Sequence, residues 1–216
     1  MQNKLSEIRY FLLMCFIFYS IQGHAQLKEV KQTNHQLNIT EEYSVRKENR
    51  KIKEGPYLKY ISTPTRGKIL IAKGQYVENE KAGVWEFYDS KGHIAMQYNF
   101  DNDSISIYNQ MRVNGLKKER PLIYLGSIFE LRHISAMALD LPKGVPFTGK
   151  KGKVIVSIKV NELGQVTGFE IKDSFSKRID NAVLEAVKQV PQTWLPAISN
   201  GKKVAFHFEL PVSFFL

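Results

Sequence analysis

The chain has 216 residues, enough for one ordinary domain or two small ones, and its 43% hydrophobic content can supply a core. A formal net charge of +10 suits an anionic surface, yet no long single-sign block and no aromatic–basic motif occurs, so scattered solubilising lysines are the simpler reading and no nucleic-acid partner is expected. The single cysteine, Cys15, lies in an N-terminal apolar run, leaving the remainder without a disulfide, a thiol nucleophile or a thiolate metal ligand.

Lys4 and Arg9 accompany that run, which extends from Tyr10 to Ile21 and is apolar except for Ser20. Gly23-His24-Ala25 then sets small residues where a signal peptidase reads. The pattern predicts a secretory signal over residues 1–25, with cleavage between Ala25 and Gln26. A spanning helix needs about 20 apolar residues, so a retained inner-membrane anchor is the alternative. Cleavage would deliver a periplasmic protein with at most peripheral membrane contact.

Residues 26–52 are polar and read as a lead-in with one strand around Leu37 to Val45. At Gly55 the character changes. "GPYLKY" at 55–60 is echoed by "GVWEFY" at 83–88, and each copy is followed by a turn glycine and Ile, Gly67-Lys68-Ile69 and Gly92-His93-Ile94. Each continues to a further tyrosine, Tyr76 and Tyr98. Glycine, strand, tight turn and return strand make a repeated hairpin over residues 53–108. "SISIYNQ" at 104–110 is a degenerate third copy. The aromatics Tyr57, Tyr60, Trp85 and Tyr88 are expected to stack on one another rather than to form a ligand cage.

Residues 109–121 are polar and basic, with Gly115 and Pro121, and read as a linker. Ser127 and Glu130 then have capping-box spacing, and Ile128, Leu131, Ile134 and Ala138 line one face of a helix that Pro142 stops. In "GKVIVSIKVNELGQVTGFEIK", Val154, Val156, Ile158 and Val160 alternate up to a turn at Asn161-Glu162-Leu163-Gly164. The chain returns through Phe169 and Ile171, which is a hairpin. A second helix begins near Ser176, with Ile179, Ala182, Val183, Ala186, Val187 and Val190 at helical spacing, and Pro191 ends it. Val204, Phe206, Phe208, Leu210, Val212 and Phe214 then share one face of a last strand. The expected fold class is α+β: an N-terminal antiparallel hairpin-repeat sheet, then, over residues 122–216, a three-stranded antiparallel sheet covered by two helices.

Two resemblances follow from these residues. The repeated hairpin resembles the MORN-type repeat. Residues 122–216 resemble the TonB C-terminal domain, through Gly152-x-Val154, Gly164-x-Val166, Ile179-Asp180, Trp194-x-Pro196-Ala197, Gly201-Lys202 and Pro211-Val212-x-Phe214. Leu141 departs from the Tyr common in that family. The combination looks like exported proteins of Bacteroidota-type bacteria.

The second resemblance implies a domain that receives an extended peptide from an outer-membrane transporter by strand addition to a sheet edge. The implied edge comprises Lys203, Val204, Ala205, Phe206, His207, Phe208 and Glu209, and the implied partner is an envelope protein such as a TonB-dependent receptor. Pro211 suits such an edge because it has no N–H to give. Energy transduction additionally needs a membrane anchor and a proline-rich spacer, so it is the alternative if the N-terminal segment is retained. Neither metal nor cofactor is expected. His24, His35, His93, His133 and His207 lack zinc spacing, and Glu41-Glu42 with Asp101 and Asp103 read as solvated loop charges. No nucleophile elbow or phosphate loop occurs, so no enzyme activity is expected, and the sequence does not specify the oligomeric state.

Overall fold

The computed structural model describes residues 26–109, 111–112, 118–145 and 149–216. The secretory signal expected over residues 1–25, and the part of the expected linker at Gln110 and 113–117, lie outside the described residues.

The first half is one antiparallel meander. Its strands are β1 (Leu27–Asn34), β2 (Ile39–Arg46), β3 (Lys53–Thr63), β4 (Gly67–Val77), β5 (Glu80–Tyr88), β6 (Ile94–Asn99), β7 (Ser104–Tyr108) and β8 (Met111–Arg112), each beside the next. The repeat glycines explain themselves here. Gly55 and Gly83 have φ of 89° and 62°, and the turn glycines Gly67 and Gly92 have φ of 68° and 86°. A left-handed backbone favours glycine, so equivalent points of the two hairpins carry it. Tyr57 and Trp85, equivalent positions of the two copies, have ring centroids 5.1 Å apart, and Tyr76 meets both edge-on at 5.4 and 5.3 Å. Tyr57 and Trp85 thus stack between hairpins as the spacing predicts, but Tyr60 and Tyr88 do not join them: Tyr60 lies under Lys68 Nζ at 3.7 Å and Tyr88 OH donates to Glu86 at 2.6 Å.

The lead-in differs from expectation. It forms two strands, β1 and β2, paired over Leu27↔Arg46 to Asn34↔Ile39. All of β1 is exposed except half-buried Val30, so it has no apolar pattern to read, and its backbone bonds to β2 hold it.

The second half contains α1 (Ile128–Met137), β10 (Lys151–Val160), β11 (Val166–Asp173), α2 (Lys177–Val187) and β15 (Phe206–Phe215). The sheet order is β11-β10-β15, antiparallel throughout, so the third strand lies beside the first. Two short pairs brace it: β9 (Ile123–Tyr124) with β12 (Trp194–Leu195), and β13 (Ala197–Ser199) with β14 (Lys202–Val204). Val154, Val156, Ile158 and Val160 are buried under the helices, each worth roughly 1.5–3 kcal/mol of transfer free energy. Within α2, Ile179, Val183, Ala186 and Val187 are buried, and Ser176 caps it by accepting from the Ile179 N–H.

Helix α1 follows a different logic from the capping box. Ser127 sits at the N-cap, but its side chain makes no cap hydrogen bond. Its Oγ instead donates to the Tyr88 carbonyl at 2.6 Å, and Glu130 turns toward β3. Both residues are spent on the first sheet. Ile128 is exposed, while Glu130, Leu131, Ile134 and Ser135 are buried. Ile39, Ile61 and Ile71 of the first sheet share a core with Leu131, Ile134, Val156 and Val183. The two halves are therefore packed together. Arg120, in the stretch read as linker, is buried and donates to the Pro196 carbonyl at 3.0 Å.

Candidate binding edge

Lys150 and Leu216 exchange both backbone hydrogen bonds, at 3.0 and 2.9 Å. The pairs from Lys151↔Phe215 to Val160↔Phe206 continue from there without a register shift. Bonded and non-bonded pairs alternate along an antiparallel ladder. Phe206, Phe208, Leu210, Val212 and Phe214 therefore direct their backbone groups at β10. His207, Glu209, Pro211, Ser213 and Phe215 direct theirs outward, and no strand lies on that side among the described residues.

Pro211 sits mid-strand at an outward position. Its missing N–H removes nothing from the β10 ladder, and it interrupts the row of donors on the free side. The edge is consequently two short runs, one through His207 and Glu209 and one through Ser213 and Phe215. This is how a long, Phe-rich edge strand avoids templating aggregation. Phe206 and Phe215 mark its two ends and stand 53% and 66% exposed, large apolar groups that a docked chain can cover.

The residues read from the sequence divide between two elements. Phe206, His207, Phe208 and Glu209 open β15. Lys203 and Val204 belong to β14, opposite Ile198 and Ala197, and Ala205 joins the two strands. The alternation from Val204 to Phe214 reads as one strand, but the backbone breaks at Ala205 to complete the small β13–β14 hairpin. Ser213 and Phe215 were not among the residues read, although their odd-numbered positions follow from the same ladder parity.

The solvent face beside the edge is charged on both signs. Lys159 and Glu170 pair at 2.9 Å, Lys172 reaches the same carboxylate at 3.4 Å, and Lys153 meets Asp173 at 3.6 Å. The Lys159 hydrogen bond, with the charges of Lys159 and Lys172, holds the Glu170 carboxyl below its ordinary value. His207 Nε2 lies 3.8 Å from Glu209 Oε1, and its ring stacks on Phe206 with centroids 5.2 Å apart.

A second polar constellation lies between the halves. Lys59 Nζ is 2.5 Å from Glu130 Oε1 and 3.4 Å from Glu41 Oε1. Tyr57 OH donates to Glu41 at 2.7 Å, and Tyr124 OH donates to Glu130 at 3.2 Å. Nearby, His133 Nε2–H donates to the Leu37 carbonyl at 2.7 Å. Burial pushes the Tyr57 and Tyr124 hydroxyls far above their ordinary range, with Glu41 and Glu130 adding to the effect. Burial and the neighbouring Lys59 charge lower the Lys81 ammonium, which lies over the Trp85 ring at 4.7 Å.

Glu41 is thus a half-buried strand residue set against a lysine, not a solvated loop charge. Glu42 is likewise in β2, paired with Lys68 at 2.7 Å. Asp101 accepts from the Gly83 N–H at 2.8 Å and Asp103 from Tyr98 OH, so both tie down turns. Every ionic group named in this junction has a structural partner, and the constellation serves to join the two halves.

No curated protein and no solved structure matches the chain. Residues 141–216, which run from the loop after α1 through the edge strand β15, match the family model of the Gram-negative bacterial TonB protein C-terminal, and this match supports a TonB C-terminal domain over that part of the chain.

Proposed function

We propose that this protein is a non-catalytic interaction module of the cell envelope whose C-terminal sheet takes up an extended peptide by strand addition along the outer edge of β15. The carrying observation is the ladder parity. His207, Glu209, Ser213 and Phe215 present outward backbone groups that no strand occupies among the described residues. Strand addition draws its affinity from such groups and its specificity from alternate side chains. Phe206 and Phe215 supply apolar contacts at the two ends, and the charged face through Lys159 and Glu170 supplies orientation.

The partner fitting this edge is an envelope protein with an extended segment, a TonB-dependent outer-membrane receptor being the first choice. The regular hairpins of the first sheet favour a MORN-like scaffold that carries the C-terminal domain. Export with cleavage between Ala25 and Gln26 belongs to the same proposal. In its favour, the apolar run from Tyr10 to Ile21 is followed by small residues at Gly23 and Ala25. No observation favours the energy-transducing alternative. No helix among the described residues is long and apolar enough to cross a membrane.

Titration with peptides from receptor plug segments tests the binding mode. Saturable binding that Glu209→Pro weakens about tenfold is expected, because that change removes an outward donor and leaves the β10 ladder intact. Equal binding by the two proteins would count against strand addition. N-terminal sequencing of the envelope protein should begin at Gln26, and an intact Met1 would reverse the export reading.

A further inference from the structure

The opposite end of the molecule's strand order offers another edge, and its parity can be read in the same way. Lys47 N–H donates to the Gln26 carbonyl, and Ser62 N–H donates to the Asn38 carbonyl. With the unshifted registers Leu27↔Arg46 through Asn34↔Ile39, and Ile39↔Ile61 through Tyr43↔Tyr57, the even-numbered residues of β1 bond to β2. Leu27, Glu29, Lys31 and Thr33 therefore turn their N–H and C=O groups away from the sheet. No strand lies on that side among the described residues.

This edge lacks the device found on β15. It contains no proline and no glycine, and its register with β2 has no bulge. A regular edge of this kind is a template for another strand. Its own sequence says which strand fits. In an antiparallel pairing of β1 with itself, outward residues must oppose outward residues. A two-fold axis at Val30 places Leu27 opposite Thr33 and Glu29 opposite Lys31, each pair occurring twice. All four outward residues are then used, and opposite charges face each other directly, which is favourable across strands. Moving the axis one residue either way places Glu29 on Glu29 or Lys31 on Lys31 and leaves one outward residue unused.

We propose that β1 is a dimerisation strand, pairing antiparallel with β1 of a second copy about a two-fold axis at Val30, so that the two meanders form one continuous sheet. The interface is isologous, as a two-fold dimer requires. Among the described residues Lys31 pairs with Glu42, at 3.6 Å, and its side chain stays 65% exposed, so its charge is available to a partner. The proposal is independent of peptide binding at β15, which lies in the other sheet.

Sedimentation equilibrium of the purified protein over a wide concentration range should show a monomer–dimer equilibrium. Glu29→Lys or Lys31→Glu alone replaces two attractive pairs by two repulsive ones, and each should weaken the dimer about tenfold or more. The double variant Glu29→Lys/Lys31→Glu should restore it, because only this register exchanges those positions. Glu29→Pro, whose nitrogen faces away from β2, should abolish the dimer while the far-ultraviolet circular dichroism stays unchanged. In a Cys15→Ser background, Val30→Cys should form an intermolecular disulfide at the axis, and Lys28→Cys should not. A monomer at every concentration overturns the proposal. So does a double variant as dissociated as the single ones, or cross-linking through position 28 in preference to position 30.

Discussion

Lys59 Nζ stands 2.5 Å from Glu130 Oε1, a contact that joins β3 of the first sheet to α1 of the second unit. Both side chains are largely out of water, and Glu41 shares the same ammonium. Removing one member of a buried ionic group leaves its partners uncompensated, at a cost of about 3–5 kcal/mol. Lys59→Met should therefore destabilise the protein on that scale in chemical denaturation. Lys153→Met, which removes an exposed pair with Asp173, should change stability by less than about 1 kcal/mol. Similar losses for the two variants would show that the Lys59 contact does not join the halves.

The same cluster sets a response to acid. Burial by itself would raise the Glu41 carboxyl, but the Tyr57 hydrogen bond and the charges of Lys59 and Lys53 outweigh it and hold the group below 4.5. A carboxyl depressed in the folded state adds stability fully above its unfolded value, and that stability is lost as the pH falls through the folded value. Lys59 behaves oppositely. Burial would lower it, but Glu130 and Glu41 raise it above 10.5, so its contribution persists through neutral pH and is lost only as the pH rises through the folded value. The denaturation midpoint of the wild type should drop more steeply than that of Glu41→Gln between about pH 5 and pH 2. Parallel curves would remove Glu41 from the account.

Gly164 is held by two separate constraints. Its φ is +78°, and a Cβ placed there would lie 2.3 Å from the Trp194 carbonyl oxygen. The clashing atom is backbone, so no rotamer change relieves it. Gly164→Ala should cost about 2 kcal/mol or more, combining left-handed strain with overpacking. Gly168→Ala, in β11 with nothing within 4 Å of its Cβ, is the control and should be nearly neutral. A thermal shift of equal size in both would contradict this packing.

Pro211 separates two kinds of change on β15. Its nitrogen faces outward, so Pro211→Thr should keep stability within about 1 kcal/mol while adding an edge donor. Stronger peptide binding, together with light scattering at lower protein concentration, is the expected signature. Phe206→Pro would remove an N–H directed at Val160 in β10, so it should destabilise the sheet rather than probe the edge. If Pro211→Thr instead raises stability by about 1 kcal/mol and leaves peptide binding unchanged, the nitrogen faces β10 and the ladder parity is wrong.

Much of this architecture is legible in residue order because short-range physics writes it there. The alternation from Val154 to Val160, the helical spacing from Ile179 to Val190 and the paired glycines at Gly55 and Gly83 each report a local conformation with one apolar side. β1 escaped that reading because it buries almost nothing, and its stability comes from backbone bonds that leave no pattern in the side chains. Glu130 misled it because a Ser-x-x-Glu spacing describes a cap only when no stronger partner stands nearby. Lys59, far away along the chain, is that partner.

By itself the sequence determined the α+β class, the two helices and the strands that carry an apolar alternation or a turn glycine, since periodicity and turn residues act over a few positions. The tertiary structure alone decided which edges stay open, which backbone groups face outward, and that the two halves share one core. Those facts depend on pairing between residues distant in the chain, and a buried charge or a free N–H is a property of its neighbours rather than of its own identity.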